Sequence, residues 1–321
     1  MKATAIAHPI QGLIKYHGLK HPELRIPFHD SISVCVEALH TITTVGALDS
    51  LKENMIIVNG RKPIRKDKKR IEAVLNKLKN IARYKGHFKV VSENSLKEGK
   101  GLGFSASGFA ALGAAASKAL DLHLDPVSLS ETVRLGAGSA TRSLAGGFAI
   151  WHSNRGGRSY AEQLPMRQNT DFSMLIVPIP SETRTDEAHA EVCSSPLFTA
   201  RLRMIDSMLK IMKEAIRNGD IQTIGRLAEE DTLNLHAITM TGKSRMVLWE
   251  PSTVKIIHEV VKMRREGLAA WYSIDTGPSV FVNTFKKNVK EVERRLRRLG
   301  FAKIIISRVG GKPTLTEEHL F

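Results

Sequence analysis

Hydrophobic and polar positions change period several times along the chain. Residues 2–8 read as a strand, Ser31–Thr44 alternates and is rich in Val, Ile and Thr, and Leu51–Val58 continues that pattern up to a turn at Asn59-Gly60. Over about 67–85 the spacing becomes helical, with Ile71, Val74, Leu75 and Leu78 on one stripe among basic residues. A strand at Phe88–Val91 follows, then a helix running from a glycine-rich turn at 101–108 to about Leu120, and a short helix over about 128–135. Phe148–His152 and Phe172–Val177 read as strands. Beyond Pro178 and Pro180 helical patterns dominate, over about 196–218, 221–236 and 251–266. Strands Ala270–Ile274 and Val280–Thr284 flank the turn Asp275-Thr276-Gly277-Pro278, and a helix of about 286–299 and a strand Ala302–Ser307 close the pattern. β-rich and helical stretches are partly segregated, which predicts an α+β fold with an N-terminal part over 1–180 and a C-terminal part over 181–321 sharing one cleft.

Composition narrows the class. The chain has 321 residues, 42% hydrophobic and 25% charged, an ordinary globular balance. No apolar run approaches the roughly 20 residues that cross a bilayer, and the start of the chain lacks a signal-peptide core. Cys35 and Cys193 lie far apart without pairing or metal spacing, as in a reducing compartment, so a cytoplasmic protein with no membrane partner is expected. The net charge of +16 suggests either nucleic acid or a small substrate with several phosphates. Aromatic residues are only 6% and form no ladder with the basic ones, so no nucleic-acid partner is expected. Lys66, Lys68, Lys69, Arg70, Lys77, Lys79 and Arg83, and likewise Arg294, Arg295, Arg297 and Arg298, surround apolar stripes and read as solvated faces.

Candidate chemistry begins at Gly101-Leu102-Gly103-Phe104-Ser105-Ala106-Ser107-Gly108, which feeds an Ala/Leu-rich helix. Unpartnered first-turn amides and the helix dipole make such a turn an anion cradle, with Gly101, Gly103, Ser105, Ala106, Ser107 and Gly108 as candidates. The glycines alone fit a plain loop and buried helix equally well. Three further stretches place a charged side chain beside glycine: Ile14-Lys15-Tyr16-His17-Gly18, Gly138-Ser139-Ala140-Thr141-Arg142-Ser143 and Ile274-Asp275-Thr276-Gly277-Pro278. Singly, these read as a surface lysine or a turn aspartate.

Taken in order, the four stretches resemble the GHMP kinase superfamily, and within it the mevalonate diphosphate decarboxylase branch, over Ala3 to about Ser307. The 101–108 turn matches the superfamily's phosphate loop. Lys15-Tyr16, Ser139 with Arg142, and Asp275–Pro278 match the more specific decarboxylase motifs. The resemblance implies a two-part α/β sandwich with the active site between the parts, and a carboxy-lyase of phosphorylated mevalonate in isoprenoid biosynthesis. It implies Asp275, Lys15 and Arg142 as catalytic residues and Tyr16, His17, Ser139 and Ser143 as substrate-binding residues. Lys15 and Arg142 would hold the departing phosphate. Asp275 would orient or deprotonate the 3-hydroxyl, or stabilise a cationic centre. Homodimers are common in this family.

The departures from the motifs are informative. The usual Lys-Tyr-Trp-Gly-Lys is Lys15-Tyr16-His17-Gly18-Leu19, and the usual Ser-Gly-Ser is Ala137-Gly138-Ser139. Each lost charge-assisted contact costs about 1.5–3 kcal/mol, which favours a 5-monophosphate over a 5-diphosphate. Phe104 stands where the family places a serine, a bulky ring at a triphosphate site. The leading expectation is therefore an ATP-independent conversion of mevalonate 3,5-bisphosphate to isopentenyl phosphate, phosphate and CO2, in the character of archaeal enzymes, with no cofactor. The alternative is a decarboxylase of mevalonate 5-phosphate or 5-diphosphate that uses ATP and Mg²⁺. No Asp/Glu cluster has metal-ligand spacing, so no protein metal site is expected. The roles of His29, Asp30, Asn234 and His236 stay open.

Overall fold

A computed structural model describes residues 1–96, 101–180, 189 and 192–321. In chain order the first elements are β1 (Lys2–Ala7), β2 (Ile10–Ile14), β3 (Leu19–His21), β4 (Ile26–Pro27), β5 (Ser31–Cys35), β6 (Thr41–Leu48), β7 (Met55–Val58), α1 (Arg65–Ala82) and β8 (His87–Asn94). They are followed by α2 (Phe104–Ala119), α3 (Pro126–Arg134), α4 (Ala140–Ala145), β9 (Phe148–Trp151), β10 (Ala161–Gln163) and β11 (Ser173–Val177). The C-terminal elements are α5 (Phe198–Asn218), α6 (Ile221–Met240), α7 (Pro251–Arg265), β12 (Ala270–Ser273), β13 (Val280–Thr284), α8 (Val289–Arg298), β14 (Ile305–Ser307) and β15 (Thr314–Thr316).

The first sheet has the order β15-β1-β6-β8-β7. Its strands are antiparallel except β7 and β8, which run parallel because α1 carries the chain between them. The apolar stripe of α1 (Ile71, Val74, Leu75, Leu78) and the alanine-rich face of α2 pack on this sheet, against Ala3, Ala5, Val45 and Phe88. A second sheet, β10-β9-β5-β2, buries Leu13, Ile32, Val34, Phe148 and Ile150 against Met208 and Met212 of α5 and Ile224 and Leu227 of α6. That shared core brings the C-terminal helices onto the strand that leads into Lys15. The third sheet, β12-β13-β11-β14, packs on α7 and α8 through Val282, Ile256, Val260, Val292 and Leu296.

The helical expectations agree with the structure to within a few residues, because each rests on a sustained apolar stripe. The differences fall where pairing is non-local. The expected single strand at 2–8 is followed at once by a separate β2 in another sheet. The short β3–β4 hairpin, β10 and β15 carry no period of their own. Residues 286–288 form a 3-10 turn, so α8 begins only at Val289. The chain returns to the first sheet at its end: β15 pairs with β1, the Leu320 N–H donates to Thr44 Oγ1 at 2.9 Å, and the Lys89 ammonium lies 4.2 Å from the Phe321 ring.

Candidate active site

β2 is buried along its whole length and runs directly into Lys15. Its register against β5 shifts between Gly12 and Ile14, and the Gly12 N–H turns toward Asp275 in the loop after β12. The Asp275 carboxylate accepts that N–H at 3.1 and 3.2 Å. A side chain at Gly12 would place its Cβ 2.8 Å from Asp275 Oδ1 and 2.7 Å from Lys15 Cγ, so the approach needs glycine. Burial raises the Asp275 pKa to about 6, with Lys15, the Gly12 N–H and Arg142 pulling the other way. A carboxyl group poised near neutrality is suited to general-base work.

Lys15 is almost fully enclosed. Its ammonium donates to Thr232 Oγ1 and Ser273 Oγ, each at 3.0 Å, and to the Ala228 carbonyl at 3.4 Å, and lies 3.6 Å from Asp231 Oδ2. Burial lowers its pKa, while Asp231 and Asp275 oppose the shift. Arg142 rises from α4 with its guanidinium 5.3 Å from the Tyr16 ring and 5.7 Å from the Trp151 ring. It donates to Ser31 Oγ, while its Nε is buried without a partner among the described residues. Burial lowers its pKa to about 10, so it stays cationic at neutral pH. A buried cation with an unused donor is a strong anion site.

The glycine-rich turn closes the site from a third side. Gly103 caps α2 in the left-handed region at φ 76°. A Cβ there would lie 2.6 Å from the Ile10 carbonyl oxygen, and one on Gly101 would lie 3.0 Å from Gly277 Cα. Both glycines are needed to wedge the turn between β2 and the Asp275–Pro278 turn, which brings the N-terminus of α2 to the cleft that Asp275 lines. The resulting cleft of about 490 Å³ is lined by Gly101, Gly103, Ser105, Lys15, Tyr16, Ser139, Arg142 and Asp275. A second cavity of about 330 Å³ shares Phe104, Ser105, Asp67 and Arg70 with it. Its walls are mostly apolar, from Val58, Pro63, Ile71 and Phe109, with Thr43, Ser92 and Asn94 as polar groups and Gly108 at its edge.

Four expected residues sit elsewhere. His17 is fully buried behind the cleft wall, hydrogen-bonded to Thr239 Oγ1 at 3.3 Å, and burial holds its pKa well below the ordinary value. Ser143 is buried and donates to the His8 carbonyl at 2.6 Å. Ser107 is buried between Thr41 Oγ1, at 2.7 Å, and the Phe104 carbonyl. Ala106 packs with Ile10 and Cys35. Ala106, Ser107 and Ser143 face away because an α-helix presents only some of its successive positions to one side, and His17 lies in the loop between β2 and β3.

Other cleft residues carried no local signal. Arg25, from the turn between β3 and β4, lines the cleft, as do Lys66, Asp67 and Arg70 of α1 and His189, whose ring stacks on Tyr16 at 4.8 Å. The basic face of α1 is therefore only partly solvated: Arg70 Nε donates to the Gly136 carbonyl at 2.7 Å, and its guanidinium lies over Phe109. Asp231 and Arg201 stand behind Lys15. Of the four open residues, Asn234 accepts from Arg201 at 2.7 Å and His236 packs on Trp249 with its pKa lowered by burial to about 3. His29 contacts the Asp30 carbonyl at 2.6 Å, and the Asp30 carboxylate meets His152 at 3.0 Å. Among the described residues no group of three or more His, Cys, Asp or Glu side chains is arranged to hold a metal ion, and no helix is long and apolar enough to cross a membrane.

Comparison with known proteins agrees with this geometry. Residues 7–161 match the diphosphomevalonate decarboxylase-like N-terminal domain, and residues 183–314 match the mevalonate 5-diphosphate decarboxylase C-terminal domain. The chain is 36% identical to phosphomevalonate decarboxylase of Haloferax volcanii over 320 residues, covering 99% of this chain and 98% of the relative. Among solved structures, mevalonate diphosphate decarboxylase of Staphylococcus aureus superposes with a TM-score of 0.93 at 30% identity, covering 98% of both chains. The Enterococcus faecalis mevalonate diphosphate decarboxylase, described with a mevalonate diphosphate mediated ATP binding mechanism, gives 0.91 at 30% identity over 99% of both chains. The fold is thus α+β of the GHMP type. The chain belongs to the diphosphomevalonate decarboxylase-like family, carboxy-lyases that act on phosphorylated mevalonate in isoprenoid biosynthesis.

Proposed function

We propose that this enzyme decarboxylates mevalonate 5-phosphate with ATP as phosphoryl donor. The observation that carries the reading is Asp275: a carboxylate with a pKa of about 6, held by the Gly12 N–H in the cleft that the phosphate loop and Arg142 also line, beside a second cavity that shares Phe104 and Ser105 with it. A base is needed only by a substrate whose 3-hydroxyl is still free. The Haloferax relative, named a phosphomevalonate decarboxylase, supports the monophosphate, as do Leu19 and Ala137 in place of the family's lysine and serine. A relative solved in complex with MVAPP, AMPPCP and magnesium supports a nucleotide. The residues present fit one: the glycine turn brings the N-terminus of α2 to the cleft, and the second cavity offers apolar walls with a few polar groups, as a heterocycle requires.

In this reading ATP supplies the phosphoryl group that turns the 3-oxygen into a leaving group. Asp275 takes the proton of the 3-hydroxyl. Lys15 keeps Asp275 ionised at neutral pH. Arg142 and the first amides of α2 hold the charge on the transferred phosphate as its C–O bond breaks. The electrons of the carboxylate's C–C bond form the new double bond, and CO2 leaves. Tyr16, Ser139 and Arg25 face the other end of the substrate.

The ATP-free reading, with mevalonate 3,5-bisphosphate as substrate, is favoured by Phe104, a bulky apolar residue that lines both cavities. Its ring also packs against the core, which gives it a structural reason to be apolar. The two readings separate in one assay of each substrate with and without ATP and Mg²⁺. Turnover of the 5-phosphate that requires ATP supports the proposal. Isopentenyl phosphate formed from the bisphosphate without ATP, with no turnover of the 5-phosphate, overturns it.

A further inference from the structure

The Lys15 peptide is gripped at both of its polar groups by one ion pair from the C-terminal helices. Its N–H donates to Asp231 Oδ2 at 2.9 Å, and its carbonyl accepts from Arg201 at 2.7 Å. Arg201 and Asp231 are themselves joined at 2.8 Å, with side chains only 1% and 0% exposed. Arg201 is held in turn by Asn234 Oδ1, and Thr232, next to Asp231, accepts from the Lys15 ammonium and receives the Ile274 N–H at 3.2 Å. A buried ion pair is weak evidence for stability, since desolvating both charges offsets most of their attraction. Its placement around a single site residue is what needs explaining.

We propose that Asp231, locked by Arg201, is the positioning residue of this active site: it fixes the Lys15 peptide and ammonium, and through them the charge balance at Asp275. The inference rests on decarboxylation at this site and holds for either substrate reading. Among the described residues, the charged and titratable groups facing Lys15 are Asp231 and His236 from α6, Arg201 from α5 and Asp275 from the turn after β12. Asp231 is the one that favours the lysine's charge most, and it also opposes ionisation of Asp275. Its loss therefore eases deprotonation of both groups.

The test is Asp231→Asn, an isostere that removes the charge and keeps one of the two acceptor oxygens, assayed with whichever phosphorylated mevalonate the wild type turns over. Wild-type inactivity toward every such substrate would count against the functional reading and not against Asp231. The expected result is a folded protein with kcat lowered about tenfold or more and KM within about threefold. Both limbs of its kcat–pH profile move to lower pH, the alkaline limb by about one unit or more. A folded variant with wild-type kcat and limbs overturns the proposal, and so does a lowered kcat with unmoved limbs, which marks a merely structural role. If Asp231→Asn does not fold, Arg201→Lys carries the test. It retains the charge beside Asp231 but cannot span both Asp231 and the Lys15 carbonyl. Because the charge is retained, unmoved limbs are then expected with kcat lowered and KM within about threefold, and wild-type kcat, or a KM that rises along with the fall in kcat, overturns the clamp.

Discussion

The Asp275 carboxylate receives the Gly12 N–H across 263 residues of sequence, at 3.1 Å to one oxygen and 3.2 Å to the other. This bond fixes the Asp275 carboxylate relative to Lys15, because both flank the same glycine. Gly12→Ala is expected to lower kcat by about 10²-fold, the usual penalty for a misplacement near 1 Å. The added methyl group must push aside either Asp275 or Lys15. Steady-state kinetics beside a thermal melt check this; an alanine variant with wild-type kcat removes the contact from the mechanism.

Asp275→Asn should lower turnover by about 10²–10⁴-fold. In the wild type, activity should fall as pH drops through about 6, where Asp275 takes up its proton. The stability effect has the opposite sign. The folded-state pKa lies above the ordinary 3.8, so ionised Asp275 destabilises the fold at pH above about 6, and that penalty fades as pH falls toward 4. Asp275→Asn should therefore be more stable than wild type at pH 8, by about 1–3 kcal/mol, with the gap closing by pH 4. Urea denaturation at the two pH values measures it.

Arg25 reaches the cleft from a turn that is held in place: its own N–H donates to the Pro22 carbonyl at 3.2 Å, and Arg134 Nε donates to the Leu24 carbonyl at 3.0 Å. If it supplies the cation that Leu19 does not, Arg25→Ala should raise KM for the 5-phosphate about tenfold or more and leave kcat near wild type. The same KM in the variant would assign the 5-phosphate to other residues.

His152 bridges Asp30 and Glu162, at 3.0 Å to each, and the two carboxylates raise its pKa despite partial burial. A raised histidine pKa contributes stability that is complete below the ordinary value of 6.5 and is lost as pH rises through the folded-state value. His152→Ala should thus cost about 1 kcal/mol at pH 6 and less at pH 9. Melting curves at both pH values test the sign; an equal loss at each would mean the bridge contributes through packing alone.

Much of the fold was legible locally. The stripe Ile71, Val74, Leu75, Leu78 predicted α1 because a helix repeats its buried face every three to four residues. Glycines 101 and 103 predicted a tight turn because they can adopt positive φ, and both do, at 79° and 76°. By contrast β15 and the β3–β4 hairpin were invisible: three-residue and two-residue strands have too few positions to show a period, and they form only because a distant edge or turn receives them.

The site divides in the same way. Asp275, Lys15, Arg142, Tyr16, Ser139, Gly101 and Gly103 could be singled out from the sequence because their stretches, taken together, match a family's motifs, and the cleft brings these residues together. The sequence could not say which neighbours face inward. His17 and Ser143 adjoin cleft residues yet point into the protein, while Arg25 comes from an unremarkable turn to line the wall. Gly12, Asp231 and Arg201 lie far apart along the chain and act only because sheet pairing and the α5–α6 core bring them around Lys15. Residue types and backbone permissions are local properties, so the sequence determined the chemistry available to this protein. Direction, burial and charge coupling depend on packing between distant segments, so only the tertiary structure decided which of those groups meet.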